Sequence, residues 1–167
     1  MIPLDYNFSD ADIRHFLKGQ VRVIKYADLQ YFNSIHELLK PFGNCVILYP
    51  RTSDTNGHWT ALFYTKDEHN NNVIEFFDPY GMAADVEFNY LDIQYPRYLA
   101  RLLYKQRRII HYNNKELQVT TDRINTCGAH CVTRIVYKHI PIEQYWKELL
   151  STGNADVWVC RFCETLL

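Results

Sequence analysis

The sequence predicts an α+β fold in which a central, mostly antiparallel sheet is flanked by helices. Two observations carry this. Aromatic and β-branched runs at 45–49, 59–65 and 73–77 read as strands. Apolar residues at helical spacing surround them, introduced by Ser-headed capping signals before the runs and by Pro or a turn after them.

Taken in order, Ser9-Asp10-Ala11-Asp12 forms a capping-box pattern that opens a helix with Ile13, Phe16 and Leu17 inward, and Gly19 ends it. Ser34-Ile35-His36-Glu37 repeats the signal, feeding Leu38 and Leu39 before Pro41 and Gly43. Two short helices are therefore expected before the sheet. Cys45 to Tyr49 suits a buried strand, and the polar stretch Asp67 to Asn72 joins Trp59–Thr65 to Val73–Phe77 as an antiparallel hairpin. Tyr95 to Gln106 reads as a helix with Pro96 in its first turn and Leu99, Leu102 and Leu103 on one face. Arg108–Tyr112 and Glu116–Val119, split by Asn113-Asn114, read as another strand pair. A helix starts at Cys127, with Val132, Ile135 and Val136 at helical spacing, and Pro141 opens a further one through Tyr145, Trp146, Leu149 and Leu150.

At 167 residues and 47% hydrophobic content, residues 1–167 are expected to form one domain that needs no metal or disulfide staple. The balance of 18 Lys+Arg against 19 Asp+Glu offers no overall field for nucleic acid, membrane surface or acidic partners. No apolar run approaches a membrane span, and Met1-Ile2-Pro3-Leu4-Asp5 lacks a signal-peptide pattern, so a soluble, intracellular chain is expected. Five cysteines (Cys45, Cys127, Cys131, Cys160 and Cys163) are an odd number, which points to reduced thiols and leaves catalysis or metal binding as their special uses.

Chemistry concentrates at three places. His58 lies where a turn enters one hairpin strand, and Asp78 lies where the partner strand leaves, so the carboxylate falls within reach of the imidazole. Cys127 heads a helix, where unpaired amides and the helix dipole favour a thiolate and can bind an oxyanion. Gln118 is the candidate side-chain amide donor beside them, and Gly128 leaves space for substrate backbone. Each has a plainer reading: a buried thiol, a packed strand histidine, and a β-turn in Asp78-Pro79-Tyr80-Gly81.

The ordered set Gly57-His58-Trp59, Phe77-Asp78-Pro79-Tyr80-Gly81, a Gln, and Thr126-Cys127-Gly128-Ala129-His130-Cys131 resembles the adenovirus-protease-like and SUMO-protease superfamily of cysteine peptidases. The likeness spans about residues 45–140. The small chain looks most like the maturation proteases of virophages and related large DNA viruses. This resemblance implies Cys127 as nucleophile, His58 as base, Asp78 as its orienter and Gln118 as oxyanion donor, with the nucleophile at the N-terminus of a helix in a papain-like arrangement. Gln118 precedes Cys127 by nine residues, farther than in those relatives, so Asn125 is a rival donor. Trp59 resembles a tryptophan that packs over a glycine-rich substrate tail; a core aromatic is the plainer alternative.

The implied function is a cysteine endopeptidase that cleaves viral capsid or polyprotein precursors after a small residue such as Gly. It would act as a monomer without cofactor or metal, in the host cytoplasm, viral factory and virion. A SUMO or ubiquitin-like deconjugase is the alternative within the superfamily. A non-enzymatic zinc module on Cys127, Cys131, Cys160 and Cys163, with His130 spare, is the alternative outside it. The adenovirus relatives also suggest a DNA or peptide activator. The basic stretch Arg97, Arg101, Lys105, Arg107, Arg108 and Lys115 is more simply a solvated face, and net charge lends the activator no support.

Overall fold

The computed structural model describes residues 1–53 and 56–167. Its centre is a five-stranded sheet whose strands lie side by side in chain order: β1 (Arg22–Lys25), β2 (Asn44–Ser53), β3 (Asn56–Lys66), β4 (Asn72–Phe77) and β5 (Ile109–Tyr112). β2, β3 and β4 pair antiparallel, whereas β1 and β5 join the two edges in parallel. The α+β class and the helix-flanked sheet agree with the sequence reading, with one refinement: the pairing is antiparallel at the centre and parallel at both edges.

The remaining elements are α1 (Asp10–Phe16), α2 (Ile35–Leu39), α3 (Tyr98–Lys105), α4 (Cys127–Val136), α5 (Ile142–Leu150) and α6 (Ala155–Thr165), with 3₁₀ turns at Tyr26–Tyr31 and Val86–Tyr90. Side chains alternate across each strand, so the sheet feeds two cores. Val46, Leu48, Ala61, Phe63 and Phe77 pack with α1, α4, α5 and α6. Cys45, Ile47, Leu62, Ile74 and Phe76 pack with α2, α3 and the two 3₁₀ turns. Burial on both faces explains why the central strands read as nearly continuous apolar runs. No helix among the described residues is long and apolar enough to cross a membrane.

Both Ser-headed starts are capped. The Ser9 hydroxyl accepts the Asp12 N–H while the Asp12 carboxylate accepts the Ser9 N–H, and the Ser34 hydroxyl accepts the Glu37 N–H; such caps contribute about 1 kcal/mol each. α3 lacks a local cap and borrows one: the Leu99 N–H donates to the Tyr26 hydroxyl and the Ala100 N–H to the Asp85 carboxylate. α4 is pinned to the sheet by Arg134, whose guanidinium makes two 2.8 Å bonds to the Glu75 carboxylate on β4. Both side chains are buried.

Three expectations need correction, and one helix is additional. β1 precedes α2, so only one helix comes before the sheet; four residues bounded by Arg and Lys are too few to show a period. Glu116–Val119 is not a strand, because the Leu117 and Gln118 N–H groups both donate to Pro79 O instead of to a ladder. β5 therefore pairs with β4. α3 begins at Tyr98, leaving Pro96 in the preceding loop. α6 was not foreseen, although Asn154 caps it by accepting the Val157 N–H.

Candidate active site

The β3–β4 hairpin brings His58 and Asp78 together. Both residues are about 1% exposed, and His58 Nε2 lies 2.7 Å from Asp78 Oδ1. Asp78 is held by its own turn: the Tyr80 N–H donates to Oδ1 at 2.8 Å, the Gly81 N–H to Asp78 O at 2.8 Å, and Asn113 Nδ2 also donates to Asp78 O. Gly81, at φ +81°, passes so close to the Lys115 backbone that a Cβ would lie 2.8 Å from it. The Tyr80 ring stacks on His58 at 4.5 Å and 15°.

Gly57 has a separate steric cause. A Cβ there would stand 1.7 Å from Tyr49 O on β2, so a glycine is required for β3 to lie against β2 and deliver His58. Tyr49 is also the cross-strand partner of His58.

Cys127 opens α4 after Thr126. The Trp59 N–H, next along the chain from His58, donates to Cys127 Sγ at 3.4 Å, so the sulfur rests against the β3 backbone beside the imidazole. With Nε2 committed to Asp78, the ring nitrogen left for the thiol is Nδ1. It makes no hydrogen bond, although the neighbouring Cys127 side chain adds a small pull of a proton onto the ring.

Burial works against a charged His58, but the Asp78 and Glu87 carboxylates outweigh it and hold the imidazole pKa well above its ordinary value. Sequence reasoning missed Glu87. It is buried on the Val86–Tyr90 turn, with one oxygen 3.7 Å from Arg51 Nε and the other without a partner. Burial first, and Asp78 next to it, raise the Glu87 carboxyl, while His58 and Arg51 pull it down. His58, Asp78 and Glu87 form a group of potential metal ligands, with donor atoms within 4.8 Å of one another. Among the described residues Cys127, Cys131, Cys160 and Cys163 form no such group, so the four-thiolate zinc arrangement is not assembled. All five cysteines are free and buried.

The other expected residues sit as follows. Gln118 is buried near the site, its Nε2 donating to Ile124 O at 3.1 Å and to the Tyr80 hydroxyl at 3.3 Å, while its Oε1 is unpartnered. Asn125 is tied to the N-terminal segment: its N–H donates to Leu4 O at 2.7 Å and its Nδ2 to Asp5 O at 3.0 Å. Trp59 is a core aromatic whose indole N–H donates to Phe8 O, yet it also lines a cleft of about 680 Å³ with Gly57, Leu48, Asp10 and Lys25. Gly128 differs from expectation. The space above it is taken by Phe8, whose Cβ would lie 2.6 Å from an added Cβ, so the missing side chain admits a core ring rather than substrate.

Tyr80 was legible within the Asp78–Gly81 motif, but nothing local marks Glu87 or Arg51, which arrive from other elements. No family model matches the sequence. The crystallised ASFV pS273R protease overlaps with a TM-score of 0.45 and 14% identity over 86% of this chain and 66% of its own. The central domain of the uncharacterized Lpg1148 protein from Legionella pneumophila overlaps with a TM-score of 0.42 and 15% identity over 96% and 99%. The uncharacterized protein V9 of Sputnik virophage is 34% identical over 146 residues, which cover 83% of this chain and 81% of V9. The chain belongs to the family of Sputnik virophage protein V9.

Proposed function

We propose that this chain is a cysteine peptidase in which Cys127 attacks, His58 moves the proton and Asp78 orients the imidazole. The observation that carries this reading is the buried His58–Asp78 bond beside a thiol at the first residue of a helix. The Trp59 amide on the sulfur adds support.

In the reaction the Cys127 proton passes to His58 Nδ1 while Nε2–H stays on Asp78. The thiolate forms a C–S bond with the substrate carbonyl, and the carbonyl electron pair moves onto oxygen. Backbone N–H groups at the start of α4 and the Gln118 amide are the donors for that oxyanion. Collapse breaks the C–N bond, and the imidazolium gives its proton to the leaving amine. Water, deprotonated by His58, then releases the acyl group and restores the thiol.

For Gln118 to serve, its Nε2 must turn from Ile124 O or Tyr80 toward the oxyanion when substrate binds. The virophage relative favours a viral setting, and the substrate class we assign is a capsid precursor cut after a small residue.

The experiment is incubation of wild type and Cys127→Ala with co-expressed capsid precursors, followed by mass spectrometry of new termini. Wild-type cleavage after Gly or another small residue, absent in the variant, is expected. Cleavage that persists in Cys127→Ala, or fast iodoacetamide labelling of Cys160 or Cys163 with Cys127 inert, overturns the assignment. Cleavage confined to ubiquitin-like precursors would move the substrate to the deconjugase class.

A further inference from the structure

α6 contributes one buried carboxylate, Asp156, that touches three residues next to the candidate site. Asp156 Oδ1 accepts the Thr126 hydroxyl at 2.6 Å and lies 2.9 Å from His130 Nε2, and Oδ2 accepts the Val119 N–H at 3.1 Å. Thr126 directly precedes Cys127, His130 is one turn into α4, and Val119 directly follows Gln118. Asp156 therefore joins both ends of the 119–126 loop, the segment between the candidate amide donor and the nucleophile.

The connection does more than dock α6. Thr126 stands at the N-cap of α4, yet its hydroxyl makes no capping bond and is spent on Asp156. The amides at the helix start are thus left for another acceptor. The nine-residue spacing between Gln118 and Cys127 leaves a long loop; Asn125 ties it to Leu4 and Asp5, and Asp156 holds it at its two ends, Val119 and Thr126. Burial disfavours the charged carboxylate, but His130, Thr126 and the Val119 amide overcome this and keep its pKa below the usual range.

We propose that Asp156 is a positioning residue: resting on the peptidase reading above, it sets the distance between the Gln118 amide and the first amides of α4 so that both meet one oxyanion. A group with this role acts on turnover, because donors displaced by as little as an ångström lose much of their effect on the transition state. A carboxylate that merely anchors α6 acts on stability and leaves turnover alone.

The test uses Asp156→Asn, which keeps the size but puts an N–H where an acceptor was, and Thr126→Val, which removes one donor at constant shape. Both are assayed well below their melting temperatures on a peptide that wild type cleaves. Asp156→Asn is expected to lower kcat on the order of a hundredfold with KM nearly unchanged. Thr126→Val should lose roughly tenfold, and the double variant should be no worse than Asp156→Asn alone. Iodoacetamide, which forms no oxyanion, should alkylate Cys127 at the wild-type rate in both.

Unchanged kcat with a lowered Tm overturns the proposal in favour of an α6 anchor. Alkylation that falls in step with kcat overturns it in favour of an effect on the thiol. If Asp156→Asn does not fold, Thr126→Val alone gives the same two readouts. Amide exchange at Val119 needs no substrate and separates this proposal from the peptidase assignment. Faster exchange in Asp156→Asn supports the clamp even if no peptide is cleaved, and unchanged exchange removes its basis.

Discussion

Glu87 and His58 are buried side by side, a carboxylate oxygen and a ring nitrogen within 4.8 Å, and that carboxylate helps keep a proton on the imidazole. Removing it weakens the hold. In Glu87→Gln the imidazolium should give up its proton at lower pH, and the basic limb of kcat/KM, which reports the free enzyme's imidazolium, should move down in pH. A pH–rate profile of both proteins checks this. A limb that stays in place would mean that Glu87 is protonated in the working enzyme, consistent with the effect of burial on its carboxyl.

Gln118 and Asn125 make contrasting predictions. The Gln118 amide is buried and bonded to the Tyr80 hydroxyl, whereas the Asn125 amide is turned toward Asp5 O. Gln118→Ala should lower kcat by on the order of a hundredfold to a thousandfold with KM nearly unchanged, and Asn125→Ala should do much less. Steady-state kinetics on one peptide ranks them, and the reverse ranking gives the donor role to Asn125.

Arg134 and Glu75 fasten α4 to β4 from inside the core. Glu75→Gln or Arg134→Met leaves an uncompensated buried charge and should cost about 3–5 kcal/mol, read from urea midpoints. Replacing both with apolar residues of matching volume should recover most of the loss. The sheet and α4 hold the site, so activity should follow stability in the single variants.

Two glycines separate contact from conformation. Gly57→Ala drives a methyl into the Tyr49 carbonyl, so β3 must part from β2, and both Tm and activity should fall sharply. Gly153→Ala meets no atom within 4 Å but sits at φ +86°, so it should cost about 1–2 kcal/mol of stability and leave turnover unchanged. Thermal melts with parallel assays distinguish them.

How much was legible follows from how local each signal is. The capping residues Ser9 and Ser34, the polar turn at 67–72 and the helix start at Cys127 each depend on neighbours in sequence, and the structure places these elements where those residues indicated. His58 and Asp78 could be paired in advance because one hairpin relates them. Glu87, Arg51 and Asp156 could not, since each reaches the site from a separate element. The parallel edges were also hidden: β1 and β5 have four residues each, and nothing in so short a run distinguishes parallel from antiparallel. Gly128 shows a different limit, because a glycine signals missing bulk without saying which group, here Phe8, fills the space.

Because the five strands occupy the sheet in the order in which the chain runs, none has to be threaded between two that are already paired. Growth can proceed from one edge to the other as the polypeptide leaves the ribosome. Within that order the His58–Asp78 contact closes over 20 residues, but the Trp59–Cys127 contact waits for 68. Shorter loops close at lower entropic cost and ordinarily sooner. On the proposed peptidase reading, the His58–Asp78 pair can therefore form before the segment bearing Cys127 is made, and a nascent chain would hold no assembled nucleophile until α4 has emerged and docked.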